Sequence, residues 1–394
     1  MKNVKLGVIC NIEIGRTPSR NQPKYWGNGY SWLSIADMKN LKFLSDTKEQ
    51  VTDLAIEECN MKLVPQGTLL FSFKLSVGKV GIASKDLFTN EAIAALKIKS
   101  EKEVYQPFLY HALGSLNFDG KGDRAVKGIT LNKAKLRELL IPLPPLPEQK
   151  RIAEILDKAD ALHQKNKQLL YAYDELLQAT FLDMFGDPVT NPKGWEKSKI
   201  SNLINNIDSG WSPNCNSIPR KNSFDWAILT LSSVSQRNYK ESFNKNLPQE
   251  LNPKDSIEVK KGDLLFSRKN TRELVGACAF VFETSPRLMM PDTIFRIQYK
   301  SEILNGIYAF YLLNSINFRV NIQRLATGSA GSMPNISKEK LKNLFIPLPP
   351  ITLQNQFAQI VENIEAQKTL VKQSLQESED LFNGLVQKAF SGEL

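Results

Sequence analysis

The sequence predicts a mixed α/β (α+β) chain: two similar globular units joined by two long antiparallel helices that pair as a coiled coil, with pseudo-two-fold symmetry. Three observations predict it. The stretch Ile141-Pro-Leu-Pro-Pro145 recurs as Ile346-Pro-Leu-Pro-Pro350, 205 residues later, and an internal repeat decides architecture before any local reading does. Aligned without gaps, 141–185 and 346–390 agree at 14 of 45 positions, among them Gln149/Gln354, Ala153/Ala358, Lys167/Lys372, Leu176/Leu381 and Phe185/Phe390. Each copy then opens a long run poor in Gly and Pro. The chain divides accordingly into a first globular unit (1–140), a proline lead and helix (141–190), a second globular unit (191–345) and a second lead and helix (346–394).

The repeat reaches back into the globular units, with offsets of 195, 200 and 205 in chain order as loops diverge in length. Gly15-Arg16-Thr17-Pro18 corresponds to Gly210-Trp211-Ser212-Pro213, and Trp32-Leu-Ser-Ile35 to Trp226-Ala-Ile-Leu229. Gly67-Thr-Leu-Leu-Phe-Ser72 matches Gly262-Asp-Leu-Leu-Phe-Ser267, and Leu113-Gly-Ser-Leu-Asn-Phe118 matches Leu313-Asn-Ser-Ile-Asn-Phe318. Short apolar runs at 68–73, 80–83 and 92–98, bounded by Gly, Asn and charges, read as strands. Their counterparts lie at 263–266, 275–282 and 293–299. Segments 104–116 and 303–316 read as helices, being longer and carrying aromatics at three-to-four spacing. Polar connections at 15–30, 119–128, 208–224, 236–256 and 325–335 are rich in Arg, Lys, Asn, Ser and Gly. Loops of that kind on a defined scaffold are where binding residues sit.

The segments 140–147 and 345–352 read as stiff extended leads, because proline removes a donor and constrains its neighbour. Each delivers the chain into a helix, at Glu148 or Leu353. Ile152, Ile155, Leu156, Ala159, Leu162, Leu169, Leu170, Tyr173, Leu176, Leu177, Phe181 and Met184 then form a seven-residue pattern. Phe357, Ile360, Val361, Ile364, Val371, Leu375, Leu381, Leu385, Ala389 and Phe390 repeat it, interrupted by Gly384. Sustained heptads indicate helices packed along their length. From Glu148 to Phe185, at 1.5 Å per residue, the rod would run roughly 57 Å. His163, Asn166, Gln367, Ser374 and Ser378 interrupt the stripe. They set register or mark where a third protein docks, and the behaviour of single polar seam residues favours register.

No run approaches eighteen apolar residues, so a membrane span is not expected. The start Met1-Lys-Asn-Val-Lys-Leu lacks an apolar signal core. Cys10, Cys59, Cys215 and Cys278 are scattered, and read as reduced thiols of a cytoplasmic protein. The net charge of +10 is unevenly spread: +7 over 1–145, −2 over 146–194, +8 over 195–350 and −3 over 351–394. Two basic units point to a polyanionic partner, and two mildly acidic helices to protein or solvent.

Catalytic motifs are missing. Gly114-Ser-Leu-Asn-Phe-Asp-Gly120-Lys121 resembles a phosphate loop but has one intervening residue too many, and Gly122 stands where Ser or Thr would hold magnesium. Glu258-Val-Lys260 is a nuclease-like triplet without a preceding Pro-Asp. With only His111 and His163, histidine metal sites and triads are nearly excluded. His111 reads as a packed or solvated helix residue. No catalytic, cofactor or metal site is expected in this chain.

Leu143-Pro-Pro-Leu-Pro-Glu148-Gln149-Lys-Arg-Ile-Ala153, leading into a helix that ends Phe185-Gly-Asp-Pro188, resembles the central region of type I restriction-modification specificity (S) subunits. Gln387-Lys-Ala-Phe390-Ser-Gly-Glu-Leu394, Gly15-Arg-Thr-Pro18-Ser19, Tyr25-Trp26-Gly27, Trp32-Leu-Ser-Ile35 and Lys127-Gly-Ile-Thr130 are similar to other recurring segments of that family. The second lead departs from the pattern: Ile351-Thr-Leu-Gln354 lacks the Pro-Glu-Gln of the first. The resemblance implies a non-catalytic subunit of a methyltransferase and endonuclease complex. Each globular unit would be a target-recognition domain for half of a bipartite site on double-stranded DNA, and the helices would set the spacer. It also implies two modification subunits that bind S-adenosylmethionine, and two restriction subunits driven by ATP and magnesium.

Loop residues able to reach phosphates or groove edges are the candidate DNA contacts. In the first unit they are Arg16, Thr17, Ser19, Arg20, Lys24, Tyr25, Lys74, Ser76, Arg124 and Lys127. In the second they are Trp211, Asn214, Asn216, Arg220, Lys221, Arg237, Arg268, Lys269, Asn270 and Arg272. The 268–272 cluster leads, with three cations directly after a predicted strand. Trp26, Trp32 and Trp226 read as packing residues. An enzyme and a protein-only scaffold remain the competing classes; the missing motifs count against the first and the basic units against the second.

Overall fold

The repeated Leu-Leu-Phe-Ser runs form strands at the centre of two main sheets, and every residue of both strands is buried. Burial on both faces explains why they read as unbroken apolar runs rather than alternating ones. The structure is a computed structural model, and it describes residues 1–39, 41–116, 118, 123–125, 128–328 and 333–394, with backbone alone at 123–125 and 128–130. It separates into unit 1, Met1–Lys167 with Gln373–Leu394, and unit 2, Gln168–Lys372.

In unit 1, Leu69–Ser72 pairs antiparallel with Ile93–Ile98 and with Val80–Ala83; Cys10–Ile14 and Phe43–Leu44 complete a five-stranded sheet. A smaller sheet holds Trp26–Leu33 between Glu49–Val51 and Phe88–Thr89. Trp26–Leu33 corrects the reading of 15–30 as an unbroken connection. Its first half is exposed, it contains Gly27 and Gly29, and its register shifts between Trp26 and Tyr30, so it offers no apolar alternation.

Unit 2 repeats the plan. Leu264–Ser267 lies between Ile294–Tyr299 and Cys278–Phe280, with Ile204–Ser209 at the edge. The small sheet places Ala227–Leu229 between Asn244–Asn246 and Leu288–Met289. Asn244–Asn246 also falls inside a stretch read as loop, since Asn-Lys-Asn has no strand propensity and only pairing recruits it. The strand expected over 275–282 shortens to Cys278–Phe280, because Gly276 takes φ +75 in the turn before it. The helix expected at 303–316 is Gly306–Asn314, capped by the Asn305 side chain. Extended Ser315 separates it from a further helix, Ile316–Arg324.

The proline leads are extended as predicted: Leu140–Leu143 pairs antiparallel with Lys2–Lys5, and Phe345–Pro347 with Lys197–Lys199. The long helices are Leu146–Phe185 and Ile351–Ser391, 40 and 41 residues. They start two residues earlier than expected. Pro147 fits the first turn, where an N–H would lack an intrahelical partner anyway.

Each unit contains a stretch of both helices, packed antiparallel. In unit 1, Ile152, Ala153 and Leu156 share a core with Ala389, and Phe382, Leu385 and Phe390 pack against it. Further along, Asn166 Nδ2 donates to Ser374 Oγ at 3.1 Å, and His163 Nδ1 lies 3.4 Å from Ser378 Oγ. In unit 2, Phe181 and Phe185 lie 5.5 and 5.4 Å from Phe357, and Lys368 donates to Asp174 at 2.7 Å. Not every heptad position is covered: Leu162, Leu169, Leu176, Ile360 and Leu381 are exposed, as is Gln367. A two-helix contact buries a narrow seam and leaves the flanking positions in solvent.

Candidate nucleic-acid interface

The opening motif works the same way in both units. A Cβ on Gly15 would stand 2.1 Å from the Thr89 carbonyl oxygen, and one on Gly210 2.2 Å from that of Met290. Glycine lets the backbone close in, so that Arg16 N–H bonds Thr89 O at 2.8 Å and Trp211 N–H bonds Met290 O at 2.9 Å. The next hydroxyl is committed to an acid: Thr17 to Glu91 in unit 1, Ser212 to Asp292 in unit 2. Thr17 is therefore part of a closure repeated in both units.

Other candidates of unit 1 are also engaged. Arg16 donates to Cys59 O at 2.8 Å. Arg20 forms a two-pronged pair with Glu49 and lies 4.0 Å from the Trp26 ring centroid. That pairing holds the Glu49 carboxyl below the ordinary carboxylate range. Lys24 and Tyr25 converge on Glu58, at 2.8 and 2.6 Å, and together lower its carboxyl. Trp32 is buried with its N–H on Arg16 O, and Trp26 stands edge-on to it at 4.9 Å, so both are packing residues. Ser19 and Ser76 are exposed, and half-exposed Lys74 rests 5.5 Å from the Phe73 ring. Lys127 lies outside the described residues, as do Gly120, Lys121 and Gly122 of the phosphate-loop lookalike, and the Arg124 side chain is not among them.

In unit 2, Asn214, Asn216, Lys221 and Arg237 are exposed. Half-buried Trp211 packs on the second core, with Lys254 Nζ 4.2 Å from its ring. Arg220 is spent on the carbonyls of Pro286 and Asp225 at 2.6 and 3.3 Å. Half-buried Trp226 packs against the same core.

The loops that follow the repeated Leu-Leu-Phe-Ser strands, 73–79 and 268–276, stand out. Ser72 and Ser267, the last residues of those strands, are fully buried and anchor the loops. Ser72 Oγ bonds Ser76 O and accepts from Lys79 N–H at 2.9 Å; Ser267 Oγ accepts from Asn270 Nδ2 at 3.3 Å. Asn270 is buried and also donates to Ser235 at 2.9 Å, so its polar atoms face into the unit. Arg268 is half-buried, with Nε on Asn335 Oδ1 at 3.1 Å and its guanidinium 5.1 Å from the Phe295 ring. Lys269 and Arg272 are exposed, and neither has an ion pair among the described residues. Sequence reading missed Lys338, whose Nζ lies 5.6 Å from that same Phe295 ring. It sits 70 positions beyond Arg268 in the sequence, and no local signal links the two.

The catalytic lookalikes are explained by packing. Glu258 accepts from Arg287 N–H at 2.7 Å, where Arg287 turns at φ +64. His111 is buried, with Nε2 2.7 Å from Asp157 Oδ1, an oxygen that also takes Lys42 at 2.5 Å. Burial alone would raise the Asp157 carboxyl, but these two partners more than offset it and lower it. Among the described residues no group of three or more His, Cys, Asp or Glu is arranged to hold a metal, and no helix is long and apolar enough to cross a membrane.

Comparison with known proteins gives the same outline. The EcoEI type I restriction enzyme specificity subunit of Escherichia coli is 34% identical over 176 residues, 45% of this chain and 30% of that protein. The MjaIX specificity subunit of Methanocaldococcus jannaschii is 26% identical over 230 residues, 52% of each chain. The matched stretches thus span about half or less of these relatives. The crystal structure of a type I restriction-modification S subunit from M. genitalium superposes with a TM-score of 0.62 at 12% identity, covering 99% of this chain and 96% of that one, which shows the shared fold. The family profile described as type I restriction modification DNA specificity domain matches twice, at 1–171 and 192–379, and the chain belongs to that family.

Proposed function

We propose that this chain is the non-catalytic DNA-recognition subunit of a type I restriction-modification enzyme, each globular unit reading one half of a bipartite duplex target. The observation that carries the reading is the duplicated loop after Leu-Leu-Phe-Ser, built on a buried serine in two separately basic units. In unit 2 it offers exposed Lys269 and Arg272, with Lys338 near its base. In unit 1 it offers Lys74 and Ser76. The exposed candidates Ser19, Asn214, Asn216, Lys221 and Arg237 form the outer rim of the reading surface in this proposal. Arg16, Thr17, Arg20, Lys24, Tyr25, Arg220 and Asn270 then serve chiefly to shape it, since each is already bonded within its unit.

The long helices set the spacer in this reading, and their uncovered Leu162, Leu169, Leu176 and Leu381 suit docking of modification subunits. Those partners would supply S-adenosylmethionine chemistry on a flipped adenine, and restriction subunits would supply ATP-driven cleavage. Binding to duplex DNA tests the proposal. Affinity should fall steeply with salt, and Arg272→Ala should either reduce the salt slope by about one, if it holds a phosphate, or relax one base position by about 1–3 kcal/mol, if it reads a base. Affinity without salt dependence would support a protein scaffold instead, and methylation or cleavage by the isolated chain would support an enzyme.

A further inference from the structure

Arg319 is buried in unit 2, yet no carboxylate pairs with it among the described residues. Its Nη2 donates to the carbonyls of Glu273 and Val275 at 2.9 and 3.0 Å, and its Nη1 is buried without any hydrogen-bond partner. Burial, with Arg237 nearby, pushes its pKa down to about 10. Arg296 of the same unit shows the usual solution, since Asp208 and Asp263 flank it at 2.9 and 3.2 Å. A buried cation with no counter-ion and an idle donor is costly. Packing alone gives no reason to place one there.

What Arg319 holds supplies the reason. Both of its bonds go to the far limb of the 268–276 loop, and Gln323 Nε2, from the same helix, reaches Glu273 O at 3.0 Å. Gly276 presses onto that helix: a Cβ there would meet Ile322 Cγ2 at 2.2 Å. The near limb is held by Asn270 on Ser235 and by Arg268 on Asn335. Fixed points thus alternate along the loop with the exposed Lys269 and Arg272. Side chains that must match base edges need such a backbone, because ordering it on binding would otherwise cost affinity.

We propose that Arg319 is a positioning residue for sequence discrimination by unit 2: its guanidinium, through the single nitrogen Nη2, ties together two loop carbonyls and fixes the angle at which Lys269 and Arg272 meet the duplex. The inference rests on the DNA-reading proposal above. A lysine at 319 keeps the charge, but its Nζ ends one bond short of the place Nη2 occupies and its rotating ammonium fixes no plane, so the two carbonyls lose their common anchor.

The test uses the full chain in complex with its modification subunits, once its target has been read from methylated DNA. Arg319→Lys and Arg319→Met are compared with wild type for binding to the intact target, to targets with one base changed in the second half, and to targets with one base changed in the first half. With Arg319→Lys, discrimination in the second half should fall at least about fivefold, while the salt slope and discrimination in the first half hold. Thermal melting monitors folding, and Arg319→Met should show the same half-restricted loss if it folds. Unchanged second-half discrimination in Arg319→Lys would overturn the inference, as would an equal loss in both halves. Wild-type complex that bound all duplexes alike would instead sink the DNA-reading proposal itself.

Discussion

Gly15 and Gly210 make the same steric demand, and neither can carry a side chain without moving a backbone carbonyl. Gly210→Ala should destabilise unit 2 by about 3 kcal/mol or more, read as a lower urea midpoint of the full chain. A midpoint within error of wild type would mean that the loop yields easily. The motif itself was legible, because the repeat displayed it twice. The use of its hydroxyls was not: Thr17 finds Glu91 74 residues away, and Ser212 finds Asp292 80 residues away. The same distance problem hid the commitments of Arg20 to Glu49, Lys24 to Glu58 and Arg220 to Pro286, 29, 34 and 66 residues off. An arginine in a polar loop looks the same in sequence whether it faces a phosphate or a carbonyl of its own fold.

At the scale of elements, the repeated Gln149 and Gln354 explain how a proline lead is held against its helix. Gln149 Oε1 accepts from Tyr105 N–H at 2.8 Å, and its Nε2 donates to Glu103 O and Pro144 O at 2.8 and 2.9 Å. Gln354 does the same with Asn305 N–H, Ile303 O and Pro349 O, at 2.9, 3.2 and 2.8 Å. Both are fully buried. Gln149→Leu keeps the volume but strands these groups, and should cost about 2–4 kcal/mol; a thermal melt with no loss would refute the clamp. The polar seam pair behaves differently. Asn166→Leu alone should destabilise unit 1, whereas Asn166→Leu with Ser374→Ala should recover part of the loss, because the half-buried Ser374 hydroxyl is then no longer left facing an apolar side chain. A double-mutant cycle with no coupling would count against a paired seam. The helices and their leads were readable because periodicity and proline are local signals. Trp26–Leu33 and Asn244–Asn246 were not, since pairing with distant strands recruits them against weak local propensity.

For the whole molecule, duplication is the organising fact, and it reaches from sheet order down to the buried serine under each candidate reading loop. On the proposed reading, two similar basic units carry two separable specificities. The helices carry the rest of the proposal: deleting seven residues, two turns, from one of them should alter the tolerated spacer or destroy the complex, and an unchanged spacer would contradict a ruler. The central claim is that the units read independently, and methylome sequencing of an exchange chimera tests it most directly. Residues 15–135 are replaced by the matching segment of another family member, and the chimera is expressed with the modification subunits that the proposal assigns to it. The expected result is a methylated target with a new first half, an unchanged second half and the same spacer. A target altered in both halves would contradict two independent readers.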